Sequence, residues 1–216
     1  MLSVVIPTLN AAALLPDCLQ RLDGSDEIII VDGGSRDETI AVAEAAGARV
    51  IVAPKGRGSQ LSAGGEAARG DWLLFLHADT LLGAGWLEAA EAHAQRTTCP
   101  ACFRFRLDDR SWQARMVERG ARLRAALLGL PYGDQGLLVS RTRYENMGGY
   151  RALPLMEDVD LVRRIGRVRM LPVDAITSAE RWRRDGWFRR SGRNLACLGL
   201  YFAGYPTEKI SRIYRS

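Results

Sequence analysis

Lysine is nearly missing from this chain: Lys55 and Lys209 are the only two among 30 basic residues, set against 25 acidic ones. The net charge of +5 is therefore carried almost wholly by arginine, whose planar fork suits phosphate better than a point charge does. Such a surplus fits nucleic acid, anionic lipid or a phosphorylated small molecule, and only the placement of the arginines separates these. Cysteine is scarce as well. Cys18, Cys99, Cys102 and Cys197, with no secretory leader in view, argue against a disulfide framework and for a reducing compartment. No apolar run approaches the ~20 residues of a membrane span; the longest late one is Leu195 to Tyr205. Met1 to Asn10 has no basic n-region and meets Pro7 early, so it reads as a strand rather than a signal peptide. A cytoplasmic protein without a span is expected.

What is present suffices for one substantial core. With 216 residues, 47% of them apolar, and 22 glycines, the chain reads as one domain (1–216) and not as a disordered tail, a collagen or a disulfide miniprotein. Strands are expected at Leu2 to Ile6, Ile28 to Val31, Arg49 to Val52 and Trp72 to Leu76, separated by helical spacing over Ala11 to Leu22, Asp37 to Ala46 and Gly58 to Arg69. That alternation is the mark of β-α-β units around a mostly parallel sheet. Ser35-x-x-Glu38 has capping-box spacing. Beyond Asp79 the expectation is a helix at Trp86 to Gln95, a strand at Ala101 to Leu107, an arginine-rich helix at Ser111 to Leu128, a strand at Gly136 to Ser140 and a helix at Glu157 to Ile165. The basic, then apolar, tail from Arg181 reads as two helices, and His93 as a solvent-facing helical residue.

Ligands of open parallel sheets bind beyond the carboxyl ends of the strands. The polar residues there are Pro7-Thr8-Leu9-Asn10, Asp32-Gly33-Gly34-Ser35 and His77-Ala78-Asp79-Thr80. Gly33 and Gly34 let backbone approach a flat ligand, and the Asp32 carboxylate can accept from a base or ribose; an ordinary strand-to-helix turn would use the same residues. Neither GxGxxG nor G-x-x-x-x-G-K-[ST] occurs, which disfavours a dinucleotide dehydrogenase and a P-loop hydrolase. The segment Lys55-Gly56-Arg57-Gly58-Ser59-Gln60 is glycine-rich and basic, a setting in which amides, Arg57 and Gln60 meet a diphosphate, or else a flexible surface loop. Asp79 and the Glu157-Asp158 pair are the candidates for carboxylate chemistry, as oxygen ligand or general base. Macrodipole complementation in a first helical turn is the plainer account of the pair.

Taken in order, these stretches, with Ala67-Ala68-Arg69-Gly70-Asp71 and Gly148-Gly149-Tyr150 added, resemble glycosyltransferase family 2 with its GT-A fold. Tyr132-Gly133-Asp134-Gln135-Gly136 and Pro154-Leu155-Met156-Glu157-Asp158 are similar to the subgroup labelled radical-SAM/selenodomain-associated transferases. The resemblance implies a nucleotide-sugar half (1–80), an acceptor half (81–180) and a helical tail (181–216). It implies Pro7, Thr8, Asn10, Asp32, Gly34, Arg57, Gln60, His77, Ala78 and Asp79 around a nucleoside-diphosphate sugar, most often of uridine. Asp79 would hold Mg²⁺ or Mn²⁺ against the diphosphate, and Asp158 would deprotonate the acceptor hydroxyl for an inverting displacement.

Departures from the family pattern are informative. His77-Ala78-Asp79 stands for Asp-x-Asp, so His77 is either a second metal ligand, a ribose contact or a packed side chain. Ala11 stands where many members have Glu and Gly33 where many have Asp. Ser178-Ala179-Glu180-Arg181-Trp182 overlays the Gln-x-x-Arg-Trp of processive synthases; Arg181 would meet the diphosphate and Trp182 the acceptor sugar. Without spans, addition of a single residue is expected. Glu157, Asp134 and Gln135 are expected on the acceptor side. The tail arginines, interleaved with Trp182, Trp187 and Phe188, suggest peripheral contact with anionic lipid on the inner membrane face, beside a lipid-borne acceptor, or else a solvated helix face. The pair Cys99 and Cys102 has no second pair to complete a metal site, and no nucleic-acid motif accompanies the charge. Two other functions stay open: a sugar-phosphate nucleotidyltransferase, and a non-catalytic nucleotide or lipid-surface module.

Overall fold

Apolar, largely β-branched runs open the chain as four parallel strands, β1 (Leu2–Thr8), β2 (Glu27–Asp32), β3 (Arg49–Val52) and β4 (Trp72–Phe75). Three crossover helices join them: α1 (Leu15–Gln20), α2 (Thr39–Ala45) and α3 (Arg57–Ala67). The structure, a computed structural model, describes residues 1–215. The second half supplies β5 (Thr80–Leu82), α4 (Trp86–Arg96), β6 (Ala101–Leu107), α5 (Trp112–Leu128), a 3₁₀ turn at Gly133–Gln135, β7 (Leu137–Ser140), α6 (Arg141–Asn146), α7 (Glu157–Ile165) and β8 (Arg169–Thr177). The eight strands of the described residues form one sheet in the order β3-β2-β1-β4-β7-β6-β8-β5. β7 runs antiparallel to both β4 and β6, and β5 antiparallel to β8, while β6 and β8 are parallel. The result is an α/β fold, as the sequence leads one to expect, with a mixed sheet flanked by helices.

Alternate strand residues feed two buried layers, because successive side chains point to opposite faces. Val5, Ile29, Val31, Leu73 and Phe75 pack with Leu61 of α3, Val159 and Val162 of α7, and Cys197, Leu198 and Ile210 from the tail. Val4, Ile6, Ile30, Leu74 and Leu76 pack with Leu15 and Leu19 of α1, Ala43 of α2 and Trp86 of α4. Coverage on both faces is why the early strands read as continuous apolar runs. The α3 crossover lies especially close to the sheet: a Cβ at Gly64 would fall 2.3 Å from Val5 Cγ1 and 2.8 Å from Val31 Cγ2.

Several local expectations are corrected. Ser35 and Glu38 form no capping box: α2 begins at Thr39, no side chain caps it, and Ser35 Oγ bonds to Asp32. Helix α1 starts later than its apolar spacing suggests, because Asp37 and Thr39 accept the N–H groups of Ala12 and Ala11 and hold that stretch as a turn. His93 is buried against Trp72 with Nε2 2.7 Å from the Cys99 carbonyl, so it does not face solvent. Among the described residues the tail forms three helices rather than two: α8 (Glu180–Asp185), α9 (Trp187–Phe202) and α10 (Thr207–Arg215). Among the described residues no helix is long and apolar enough to cross a membrane.

Candidate functional site

The turn after β4, the 3₁₀ turn before β7, the start of α7, the end of β8 and the tail helices converge on an open cleft of about 840 Å³. Its walls carry Arg57, His77, Asp79, Gly133, Asp134, Glu157, Asp158, Arg181 and Trp182. The turn after β4 is fixed from below. Cys18 Sγ reaches the Thr80 carbonyl at 3.5 Å, and Thr80 Oγ1 lies 3.0 Å from Thr177 Oγ1 at the end of β8. Ala78 packs on the core under this turn.

Asp158 is held by backbone. Its Oδ2 accepts from Gly133 N at 2.8 Å and its Oδ1 from Val159 N at 2.7 Å, which leaves acceptor capacity on both oxygens. Met156, just before α7, has φ 66, a left-handed conformation that costs a non-glycine residue about 1–3 kcal/mol. That bend delivers Glu157 and Asp158 to the cleft, whereas Asp160 is taken up by Arg164 and Arg151. Of the acids opening α7, Asp160 thus serves structure and Asp158 faces the cleft. A Cβ at Gly133 would lie 2.7 Å from His77 Nε2, too close without a shift of the ring, and at ordinary contact distance, 3.6 Å, from Asp158 Oδ2, so glycine is what lets His77 back onto this turn. Burial lowers the His77 pKa to about 4, helped by Arg57 and opposed by Asp79 and Asp158; the imidazole is neutral near pH 7.

Three carboxylate oxygens in the cleft are buried with no hydrogen-bond partner, Asp79 Oδ1, Asp134 Oδ1 and Glu157 Oε1, and of these Glu157 Oε1 has Arg57 as its ion-pair partner. Burial raises Asp134 to about 6, against the pull of Arg124 and with the push of Asp158 and Asp79. Orphaned, hard oxygen donors of this sort suit Mg²⁺ or Mn²⁺. Among the described residues no group of three or more His, Cys, Asp or Glu side chains makes a closed metal cage. The donor set therefore fits a divalent cation that Asp79 and Asp134 would hold without enclosing it. Arg181 Nη2 stands 3.9 Å from Asp79 Oδ2, and Arg57 Nη1 3.3 Å from the buried Glu157 Oε1. Burial pushes the Glu157 carboxyl up and Arg57 pulls it back.

Other expected contacts turn out to be braces. Thr8 and Asp32 are buried, and Asp32 accepts from Thr8 Oγ1, Ser35 Oγ, Ser35 N and Gly34 N, so its lone pairs are occupied within the turn. Neither side chain presents itself to a nucleoside; the pair shapes the loop. Gln60 is buried with Nε2 donating to the Thr8 and Val31 carbonyls at 2.7 Å each, which corrects its expected contact with diphosphate. Gln135 is likewise buried, its amide spent on the Phe103 carbonyl and Tyr132 N, so it does not line an acceptor site. Exposed Asn10, at φ 51, joins the first two strand-end loops by accepting from Arg36 N and donating from its own N–H to Ser35 Oγ. Pro7 is half-buried beside Val31, and Gly34 has φ 91 with open space around its Cβ position. The segment 55–60 is not a flexible loop: Arg57 opens α3, and a Cβ at Gly58 would lie 2.3 Å from the Arg151 carbonyl oxygen.

The tail contributes more than its charge suggested. Trp182 stacks on Trp187 with centroids 5.9 Å apart, and Arg190 lies 5.3 Å from the Trp182 ring centroid. Arg190 Nη2 donates to Tyr214 Oη at 3.2 Å. Asn194 and Tyr214 line the cleft, and nothing in their local sequence marks them. Cys99 and Cys102 are free thiols, and burial lifts Cys102 to about 12.

Comparison with known proteins bears on the family and the fold. A "PGL/p-HBAD biosynthesis glycosyltransferase" of Mycobacterium bovis is 42% identical over 93 residues, covering 38% of this chain and 36% of that protein. The match thus spans about a third of that relative's length. Among solved structures, glucosyl-3-phosphoglycerate synthase from Mycobacterium tuberculosis, in complex with Mg²⁺ and UDP, superposes with TM-score 0.66 at 20% identity, covering 95% of this chain and 80% of that one. A mannosyltransferase from Pyrobaculum calidifontis, in complex with GDP-Man and Mn²⁺, gives 0.67 at 18% identity, covering 91% and 60%. At those identities the likeness is one of fold. The family model of glycosyl transferase family 2 matches residues 3–171, most of the chain, and the chain belongs to that family.

Proposed function

We propose that this chain transfers a single glycosyl residue from a nucleoside-diphosphate sugar, first of all a UDP-sugar, to an acceptor hydroxyl with inversion at the anomeric carbon. The observation that carries the reading is Asp158, oriented by Gly133 N–H in the same cleft as the orphaned Asp79 Oδ1. The acceptor proton passes to a free lone pair of Asp158. The acceptor oxygen bonds to the anomeric carbon as the bond from that carbon to the diphosphate oxygen breaks, and the pair of electrons leaves with the diphosphate. A hydroxyl proton is lost in the transition state, where a positioned carboxylate contributes about 10²–10⁴-fold.

Arg57 and Arg181 face the cleft and offer forked donors to the departing phosphates. Asp79 and Asp134 are the residues to hold Mg²⁺ or Mn²⁺, and the ion, when bound, supplies charge stabilisation to the leaving diphosphate. Residues 1–80 form the donor half, 81–180 the acceptor half and 181–216 the tail. The chain is of the radical-SAM/selenodomain-associated kind and works in the cytoplasm, with its basic tail on the inner membrane face. UDP and GDP-Man in the structural neighbours support a nucleotide-sugar donor.

A screen of UDP- and GDP-sugars with Mn²⁺, detecting released nucleoside diphosphate and product by mass, tests the reading. Turnover by the wild type that Asp158→Asn abolishes is expected. If no nucleotide raises the melting temperature with either metal, the transferase reading fails, because any ligand of the native state must stabilise it.

A further inference from the structure

The cleft has an apolar continuation. A groove of about 1360 Å³ runs between α5 and α9 and shares Tyr132, Asp134, Trp182 and Asn194 with the cleft. Its α5 wall is Met116, Leu123 and Leu127, spaced i, i+7, i+11 on one helical face, and its α9 wall is Phe188, Leu195 and Leu198, spaced i, i+7, i+10. Leu127 is 73% exposed, Leu195 65% and Phe188 64%, so both walls carry uncovered apolar side chains, while Leu198 is buried. The charged residues in the lining are Arg124 and Asp134. Both sit toward the junction: Arg124 lies 3.3 Å over the Tyr132 ring, and Tyr132 and Asp134 belong to both spaces. Trp112 and Phe188, 6.1 Å apart, bring together the first turns of α5 and α9.

Gly120 adds an independent observation. It lies inside α5, where glycine weakens a helix, and neither a positive φ nor a close neighbour requires it, since a Cβ there meets nothing within 4 Å. What its missing side chain does is keep the groove clear.

We propose that the acceptor is an amphiphile whose hydroxyl sits at Asp158 and whose unbranched or isoprenoid hydrocarbon chain lies in the α5–α9 groove. The inference rests on the glycosyl-transfer reading and names the acceptor class for it. An acceptor held at Asp158 continues outward past the four shared residues, and beyond them the surface is hydrocarbon-like. Met116 to Leu127 spans about 16 Å of helix at 1.5 Å per residue, room for an extended chain rather than a sugar ring alone. A second protein copy laid across the groove would block the mouth shared with the cleft, whereas a substrate's own chain uses that continuity.

Bromoundecanol, whose bromine quenches indole, and bromopropanol are the probes, because Trp182 and Trp187 line the groove. Saturable quenching of the wild type is expected with the long alcohol, at least about tenfold tighter than with the short one. Gly120→Phe, which fills the groove, and Leu127→Glu, which alters an exposed position, each weaken it at least about fivefold. Melting shifts by UDP with Mn²⁺ stay the same in both variants, which reports that they fold. Equal binding of both alcohols, or unchanged binding in both variants, overturns the proposal. So does a wild-type dimer that Leu127→Glu converts to monomer without chain-dependent quenching. A melting shift by UDP without groove binding sinks the acceptor proposal alone; no shift with any nucleotide sinks the transfer reading instead.

Discussion

Gly133 N–H donates to Asp158 Oδ2 at 2.8 Å, tying the turn before β7 to the first turn of α7. The same glycine backs onto His77 Nε2, so the 3₁₀ turn, the strand end after β4 and the α7 carboxylate are set by one residue without a side chain.

Gly133→Ala forces the His77 ring or the turn to move, because its Cβ would lie 2.7 Å from Nε2. Transfer should fall about 100-fold, the order expected when a reacting group is displaced by an ångström. The global melting temperature should change little, since the turn lies at the rim of the cleft. Rates near wild type with an unshifted His77 resonance would show that this turn does not position the site.

Asp158→Asn preserves shape and, with its amide oxygen toward Gly133 N–H, keeps that bond while giving up the one from Val159 N and removing the basic carboxylate. Nucleotide affinity should hold while turnover drops about 10²–10⁴-fold, the span assigned to a positioned general base. Isothermal titration with UDP alongside single-turnover kinetics makes the comparison. Equal loss of affinity and rate would move Asp158 from chemistry to donor binding.

Asp32 gives a stability prediction with a definite sign. Burial pushes its carboxyl up, but Ser35 Oγ and N, Gly34 N and Thr8 Oγ1 outweigh this, and the net pKa is below the ordinary 3.8. The stabilisation is therefore present above 3.8 and is lost as pH falls through the lower folded value. Asp32→Asn should cost about 1–3 kcal/mol at pH 7 by leaving turn donors poorly paired, and the gap to wild type should narrow as pH falls below 3.8. Denaturant melts between pH 3 and pH 7 measure it; a gap independent of pH would contradict the assignment.

The strands that alternate or run apolar were legible in the sequence. Arg49–Val52 and Ala101–Leu107 match their expected bounds, as does the helix Glu157–Ile165. β8 was not, because Pro172 interrupts it and its burial alternates poorly. Pairing with β6 jumps from Cys102↔Met170 to Arg104↔Asp174, and β5 pairs only with residues 175–177, so the proline falls in an irregular stretch where its missing N–H breaks no regular ladder. Three-residue β5 exists only because β8 is there to pair with it. Within the site, the strand-end residues and Asp158 were found by position and family pattern. Whether a polar residue binds ligand or braces a loop depends on partners far along the chain, as with Gln60 on Thr8 and Val31. The same holds for Asn194 and Tyr214, which reach the cleft only through the packing of α9 and α10.

Transfer from a nucleotide sugar requires a nucleoside diphosphate bound with a divalent cation at Asp79. Titration of UDP and GDP into wild type and Asp79→Ala, each with and without Mn²⁺, tests this directly. The wild type should bind one of the two nucleotides about tenfold or more tighter with Mn²⁺ than without, a difference of about 1.4 kcal/mol, and Asp79→Ala should erase that gain. Identical affinity in the two proteins with Mn²⁺ present, or no binding by the wild type at all, would contradict it.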